Sequence, residues 1–178
     1  MKIGIIGSGD VGRRLADGLL DLGHQVKVGT RDTSKTEVVD WIDKHRKKGD
    51  KESENASVGG FAEAASFGDL IVLCTAWNGT SNAIKMADIS NMTGKVVIDT
   101  TNPLDFSQGL PPRMAVGVTD SAGEINQRLI PGAKVIKAFN IVGNPHMVHP
   151  DFPGGPPTMF ICGNDEQAKK MVTESILT

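Results

Sequence analysis

At 178 residues, with 39% hydrophobic and 22% charged residues, the chain has enough apolar material for one globular domain and too little length for two. A formal net charge of −2, six phenylalanines and no tyrosine give neither a broad positive field nor a set of stacking platforms, so nucleic acid and anionic membrane are not expected partners. A small molecule is. The apolar stretch before the first glycines is too short for a signal peptide or a membrane span, and a cytoplasmic protein is expected.

In chain order, Ile3, Ile5 and Ile6 form a β-branched run, followed by a glycine cluster and a helical pattern through Val11, Leu15, Leu19 and Leu22. Gly23 ends that helix, and residues 25–29 read as a second strand, so the start of the chain has the form of a parallel βαβ unit. A helix is expected over residues 33–48 through Val38, Val39 and Ile42, with Trp41 alongside. It fades into a mixed-charge stretch at residues 44–52, read as a solvated helix end and loop. A strand at 56–58, a short helix at 61–66 and a strongly apolar strand at 70–75 follow, the last buried on both faces.

Residues 81–86 are weakly helical and residues 96–98 form another buried strand. Ser121 and Glu124 make a capping box opening a helix that ends near Ile130, and residues 134–139 form the sixth strand. Five prolines between residues 143 and 157 forbid regular structure there, which leaves a surface loop of lid type. A further strand is expected at residues 158–162 and a last helix at 166–177. Cys74 and Cys162 fall in apolar runs and read as buried free thiols, with no disulfide between them.

The chemistry concentrates at Gly7, Ser8, Gly9, Asp10, Val11 and Gly12, a G-x-G-x-x-G pattern directly after a strand and directly before a helix. In that setting the first glycine permits a tight turn and the second admits a pyrophosphate to the backbone. The third lets helix and strand pack closely at the positive helix N-terminus. The expected fold is therefore α/β, a Rossmann-type doubly wound and mainly parallel sheet in a three-layer α/β/α arrangement, forming one domain over residues 1–178.

At the end of the second strand, where NAD-binding domains carry Asp or Glu, this chain has Gly29, Thr30 and Arg31. A guanidinium beside a hydroxyl suits a 2′-phosphate, so NADP is expected over NAD, with Lys35 adding a second positive charge and Asp32 facing solvent. In an open parallel sheet the nicotinamide lies beyond the carboxyl ends of the later strands. Those ends carry Thr75, Ala76 and Trp77, then Thr100, Thr101, Asn102 and Pro103, then Ala138, Phe139 and Asn140. Trp77 could wall a planar ring, and Asn102 and Asn140 could orient an amide or carbonyl. His146 and His149 have no third ligand nearby in sequence, and no metal site is expected.

With those residues in hand, the sequence resembles the NADP oxidoreductases dependent on coenzyme F420. The resemblance rests on GSGDVGRRLADGLLDLGHQVKVGTRD at residues 7–32, on Ala76-Trp77, on Val135-Ile136-Lys137-Ala138-Phe139-Asn140 and on Cys162-Gly163-Asn164-Asp165. It implies that Ser8, Gly9, Asp10 and Val11 line a pyrophosphate, that Thr30, Arg31 and Lys35 hold the 2′-phosphate, and that Trp77 and the Ala138 to Asn140 strand end border the nicotinamide. It implies direct hydride transfer between NADP(H) and a deazaflavin (coenzyme F420) or flavin-like acceptor, with no catalytic side chain. It also implies a C-terminal extension past the last helix and the possibility of a homodimer. Two alternatives stand beside it: an NADPH-dependent reductase of a small imine or hydroxy acid, and a non-catalytic NADP(H)-binding sensor module.

Overall fold

The structure is a computed structural model that describes residues 1–46 and 55–177. Residues 47–52 of the mixed-charge stretch, and the expected end of the second helix at residue 48, lie outside the described residues.

The β-branched runs form the strands β1 (Lys2–Ile6), β2 (Gln25–Gly29), β3 (Ala56–Gly59), β4 (Leu70–Leu73) and β5 (Val96–Asp99). A two-residue pair, β6 (Leu104–Asp105) and β7 (Arg113–Met114), comes next, and β8 (Lys134–Lys137) completes the main sheet. Helices α1 (Asp10–Asp21), α2 (Thr36–His45), α3 (Phe61–Phe67), α4 (Trp77–Met86), α5 (Ala122–Leu129) and α6 (Glu166–Ser175) connect and follow them. The main sheet has six strands in the order β3-β2-β1-β4-β5-β8, every neighbouring pair parallel.

Because the central strands are buried on both faces, alternate side chains feed two separate cores. Ile3, Ile5, Val26, Val28, Val72 and Ile98 pack under α1, α2 and α6. Ile6, Ile71, Leu73, Val97 and Val135 pack under α3, α4 and the end of α5. Each fully buried isoleucine contributes roughly 1.5–3 kcal/mol of apolar transfer. The chain reverses its winding between β1 and β4, the position where open parallel sheets leave a crevice at their carboxyl ends.

Several expectations meet a different structure. Residues 158–161 form no strand; Cys162 alone bridges to Lys137, through two backbone hydrogen bonds of 2.8 and 3.1 Å. Phe139 sits at φ 66°, which turns the chain out of the extended path, so β8 ends at Lys137 and the pairing cannot propagate to Phe160. In the other direction Asp165 already caps α6, accepting a hydrogen bond from the Ala168 N–H at 2.8 Å. As a result Cys162 is exposed rather than buried, whereas Cys74 is buried.

In α2 it is Trp41 that joins the core, its indole N–H donating to Asp17 at 2.7 Å, while Val39 faces solvent. Helix α4 starts at Trp77, earlier than its weak pattern at residues 81–86 implied, since Asn78, Gly79 and Thr80 are poor helix formers. The proline-rich loop is on the surface, yet it is pinned to α1. Met147 and Val148 pack against the core there, and a Cβ on Gly18 would meet Val148 at 2.8 Å.

Among the described residues, no helix is long and apolar enough to cross a membrane. Burial pushes the Cys74 thiol up to about 12, outweighing a hydrogen bond with Thr100 that lowers it. At mildly alkaline pH it is therefore fully protonated as well as enclosed. A thiol-specific reagent is expected to label Cys162 alone in the folded protein and both cysteines after unfolding; two fast-reacting thiols in the native state would contradict this placement.

Candidate cofactor-binding groove

The groove begins where β1 ends. Gly7 takes φ 124°, a conformation closed to ordinary side chains, and a Cβ there would lie 2.5 Å from the Cys74 carbonyl oxygen. Its N–H donates to the Gly29 carbonyl at 3.2 Å, tying the turn to the end of β2. A Cβ on Gly12 would sit 2.0 Å from the Gly7 carbonyl oxygen, so only glycine allows α1 to start this close to the strand. Gly9, the N-cap of α1, differs: nothing lies within 4 Å of the Cβ it lacks. That direction is open, and the unpaired N–H groups of the first helical turn stand beside it.

Beyond the turn, Ser8 Oγ donates to Thr30 Oγ1 at 3.0 Å, and Thr30 Oγ1 donates to the Asp32 carbonyl at 3.1 Å. Thr30 is buried, whereas Arg31 and Lys35 are exposed. All three line one cavity of about 450 Å³ together with Gly7, Ser8 and Gly9. Thr75 and Ala76, at the end of β4, close its far side. Among the described residues, no carboxylate lines it. Asp32 is turned away, its Oδ1 accepting from Ser34 N–H at 2.9 Å and Ser34 Oγ at 2.6 Å. Those bonds, with Lys35 assisting, hold its carboxyl below the usual range. Asp10 is exposed at the helix start, and its charge is met by Arg13 at 2.7 Å, while the other arm of Arg13 donates to the Ser8 carbonyl at 2.6 Å.

The remaining sequence candidates lie elsewhere. Asp10, Val11 and Gly12 belong to the first turns of α1 and do not line the cavity. Trp77 is the half-buried first residue of α4. Ala138 is fully buried in the core, so its methyl is packed rather than presented to a ligand. Asn102 and Asn140 engage each other: Asn102 Nδ2 donates to the Asn140 carbonyl at 2.9 Å, and Asn140 Nδ2 to Asn102 Oδ1 at 3.4 Å. His146 packs against the Phe152 ring at 4.5 Å, and His149 pairs with Asp21 at 3.1 Å. Among the described residues, no group of three or more His, Cys, Asp or Glu side chains could hold a metal ion.

Sequence reasoning missed Phe61, Asn78, Gly79 and Asn82, which also line the cavity. The i, i+4 spacing of Asn78 and Asn82 puts two amides on one face of α4 and was the available signal. It also missed the buried carboxylate Asp99 and its partner Lys137, a lysine inside an apolar strand.

An all-parallel sheet with this order, a glycine turn opening onto a helix N-terminus and a cationic second-strand end define a dinucleotide-binding Rossmann-type domain. The chain matches the family described as "NADP oxidoreductase coenzyme F420-dependent" over residues 2–103. It is 30% identical over 178 residues to the F420-dependent NADP reductase of Methanocaldococcus jannaschii, covering 98% of this chain and 78% of that protein. It is 29% identical over 173 residues to the metalloreductase STEAP3 of Rattus norvegicus, where 97% of this chain spans only 31% of that protein. A solved structure from Arthrobacter sp. FB24, assigned as an F420-dependent NADP-reductase, is 37% identical and superposes with a TM-score of 0.88 over 99% of this chain and 80% of that one. The chain belongs to the coenzyme F420-dependent NADP oxidoreductase family.

The open space at Gly9 separates binding from folding. Gly9→Ala is expected to change unfolding free energy by less than about 1 kcal/mol. If a phosphate approaches through that opening, the same substitution should weaken NADPH at least about tenfold, close to 1.4 kcal/mol. Chemical denaturation and NADPH titration of the same preparation check both halves.

Proposed function

We propose that the protein transfers hydride between NADP(H) and a planar acceptor of the deazaflavin class, coenzyme F420 or a flavin-like ring. The observation that carries this reading is the charge of the groove: a buried Thr30 hydroxyl flanked by Arg31 and Lys35, with no carboxylate among the described residues that line it. An acidic residue there would accept the ribose 2′-hydroxyl of NAD and repel a phosphate. A guanidinium and an ammonium instead donate charge-assisted hydrogen bonds to one, and the Thr30 hydroxyl joins them by turning its proton away from the Asp32 carbonyl. Asp32, next to Arg31 in the chain, accepts from Ser34 instead.

On this reading Ser8 and Gly9 hold the pyrophosphate at the N-terminus of α1, and Thr30, Arg31 and Lys35 hold the 2′-phosphate. Thr75, Ala76, Trp77 and the turn carrying Asn102 border the nicotinamide. Asp10, Val11 and Gly12 shape the helix start, and Ala138 and Asn140 support the far wall from β8. The nicotinamide supplies the hydride at C4 when bound. The chain's own residues orient the ring and exclude water, so no side chain is assigned as acid, base or nucleophile.

Mixing the NADPH complex with coenzyme F420, and separately with FMN, while following the nicotinamide absorbance band tests the reading. Oxidation by F420 is the expected result; tight binding without oxidation by either acceptor would favour a binding module that turns nothing over. Arg31→Ala should reduce the preference for NADPH over NADH at least about tenfold, a loss near 1.4 kcal/mol. An unchanged preference would remove Arg31 from the phosphate site.

A further inference from the structure

One polar cluster in the molecule is not used by the cofactor groove as described. Asp99, the last residue of β5, is completely buried, and four donors converge on its carboxylate. Oδ1 accepts from the Thr101 N–H at 2.8 Å and from Thr101 Oγ1 at 2.7 Å. Oδ2 accepts from Nδ2 of the buried Asn126 on α5 at 2.8 Å. Lys137, at the end of β8 and with a side chain only 14% exposed, places Nζ 3.2 Å from Asp99 Oδ1 and donates to the Thr101 carbonyl. Burial pushes the Lys137 ammonium down from its ordinary value, and Asp99 opposes that shift.

A buried ion pair of this kind contributes little net stability against an apolar replacement, because desolvating both charges offsets their attraction. What it does supply is geometry. Three elements, β5, β8 and α5, meet at one residue, Thr101: its N–H donates to Asp99, its carbonyl accepts from Lys137, and its Oγ1 accepts from Asn126 Nδ2 at 3.5 Å. The chain leaves that anchor as Asn102, which is bonded to Asn140 beyond β8. It continues as Pro103, whose carbonyl accepts from the Ala115 N–H at 2.7 Å. This turn emerges next to β4, since the Thr100 N–H and hydroxyl both donate to the Leu73 carbonyl, at 3.1 and 3.0 Å. Two residues past Leu73 come Thr75 and Ala76, which line the groove.

We propose that Lys137 is a positioning residue: seated on Asp99 and the Thr101 carbonyl, it fixes the turn carrying Asn102 and, through it, the nicotinamide end of the groove. The inference rests on the NADP(H) reading above. It assigns Lys137 no contact with the ligand and no proton transfer. Its effect is confined to one half of the dinucleotide, because the adenosine half is held by β1, β2 and α1, which the cluster does not touch.

That confinement gives a test independent of turnover. Adenosine 2′,5′-bisphosphate keeps the adenine and the 2′-phosphate and lacks the nicotinamide. Lys137→Met, an uncharged side chain of similar length, is expected to leave its dissociation constant within about twofold of the wild type while weakening NADPH at least about fivefold. Asn102→Ala, at an exposed position, should shift the ratio of the two constants in the same direction. The double variant should lose no more than Lys137→Met alone, since both act through one turn.

Equal weakening of both ligands by Lys137→Met would make the pair a general structural feature and overturn the proposal, as would an unchanged ratio. If Lys137→Met does not fold, the ratio measured for Lys137→Gln, which also removes the positive charge beside Asp99 but keeps a hydrogen-bond donor, decides in its place. A wild-type protein that binds neither ligand would refute the cofactor reading itself, whereas NADPH binding with a ratio insensitive to both variants would refute only the positioning role.

Discussion

The structure depends on how closely the first turn of α1 approaches the end of β1. A side chain at Gly12 would collide with the Gly7 carbonyl, and one at Gly7 would collide with the Cys74 carbonyl of the adjacent β4 loop. Three backbone segments thus meet at distances that only glycine tolerates, in the middle of the sheet, where β1 lies between β2 and β4. The consequence is directional. The helix is forced to begin pointing its unpaired N–H groups out over the carboxyl edge of the sheet, and Gly9 leaves the space in front of them clear. Serine and threonine then extend the same surface sideways to β2, where Arg31 and Lys35 stand.

Around that opening, the acids are engaged by neighbouring groups one by one. Asp10 is met by Arg13, Asp32 by Ser34 with Lys35 close, and Asp99, under the neighbouring turn, by Lys137, Thr101 and Asn126. The formal charge of the chain is slightly negative, yet the groove is lined by two cationic side chains, Arg31 and Lys35, and opens on a helix N-terminus. Net charge therefore says little about this protein's ligand; the local pairing of its carboxylates decides the sign of the field that a dinucleotide phosphate meets.

The parts legible in the sequence are those fixed by local rules. Residues 25–29 were readable as a strand and Gly23 as a helix terminator because β-branched alternation and a positive-φ glycine, here at φ 78°, act within a few residues. Residues 7–9, 30, 31 and 35 were readable as one site because a parallel βαβ unit brings the ends of its two strands together. What sequence could not supply depends on contacts between distant segments. The φ of Phe139 prevents residues 158–161 from pairing with the sheet. The mutual hydrogen bonds of Asn102 and Asn140, and the burial of a lysine against Asp99, appear only when β5 and β8 are side by side. Trp41 rather than Val39 joins the core of α2 because the partner of the indole N–H, Asp17, sits on another helix.

The central claim is that the glycine turn and the second-strand end together form a binding site for NADP(H). A crystal structure of the chain soaked or grown with NADP+ tests it most directly. The account predicts the pyrophosphate over Gly9 at the N-terminus of α1 and the 2′-phosphate within hydrogen-bonding distance of the Thr30 hydroxyl and the Arg31 guanidinium. A 2′-phosphate turned to solvent with Arg31 unengaged, or a dinucleotide bound away from the turn, would contradict it.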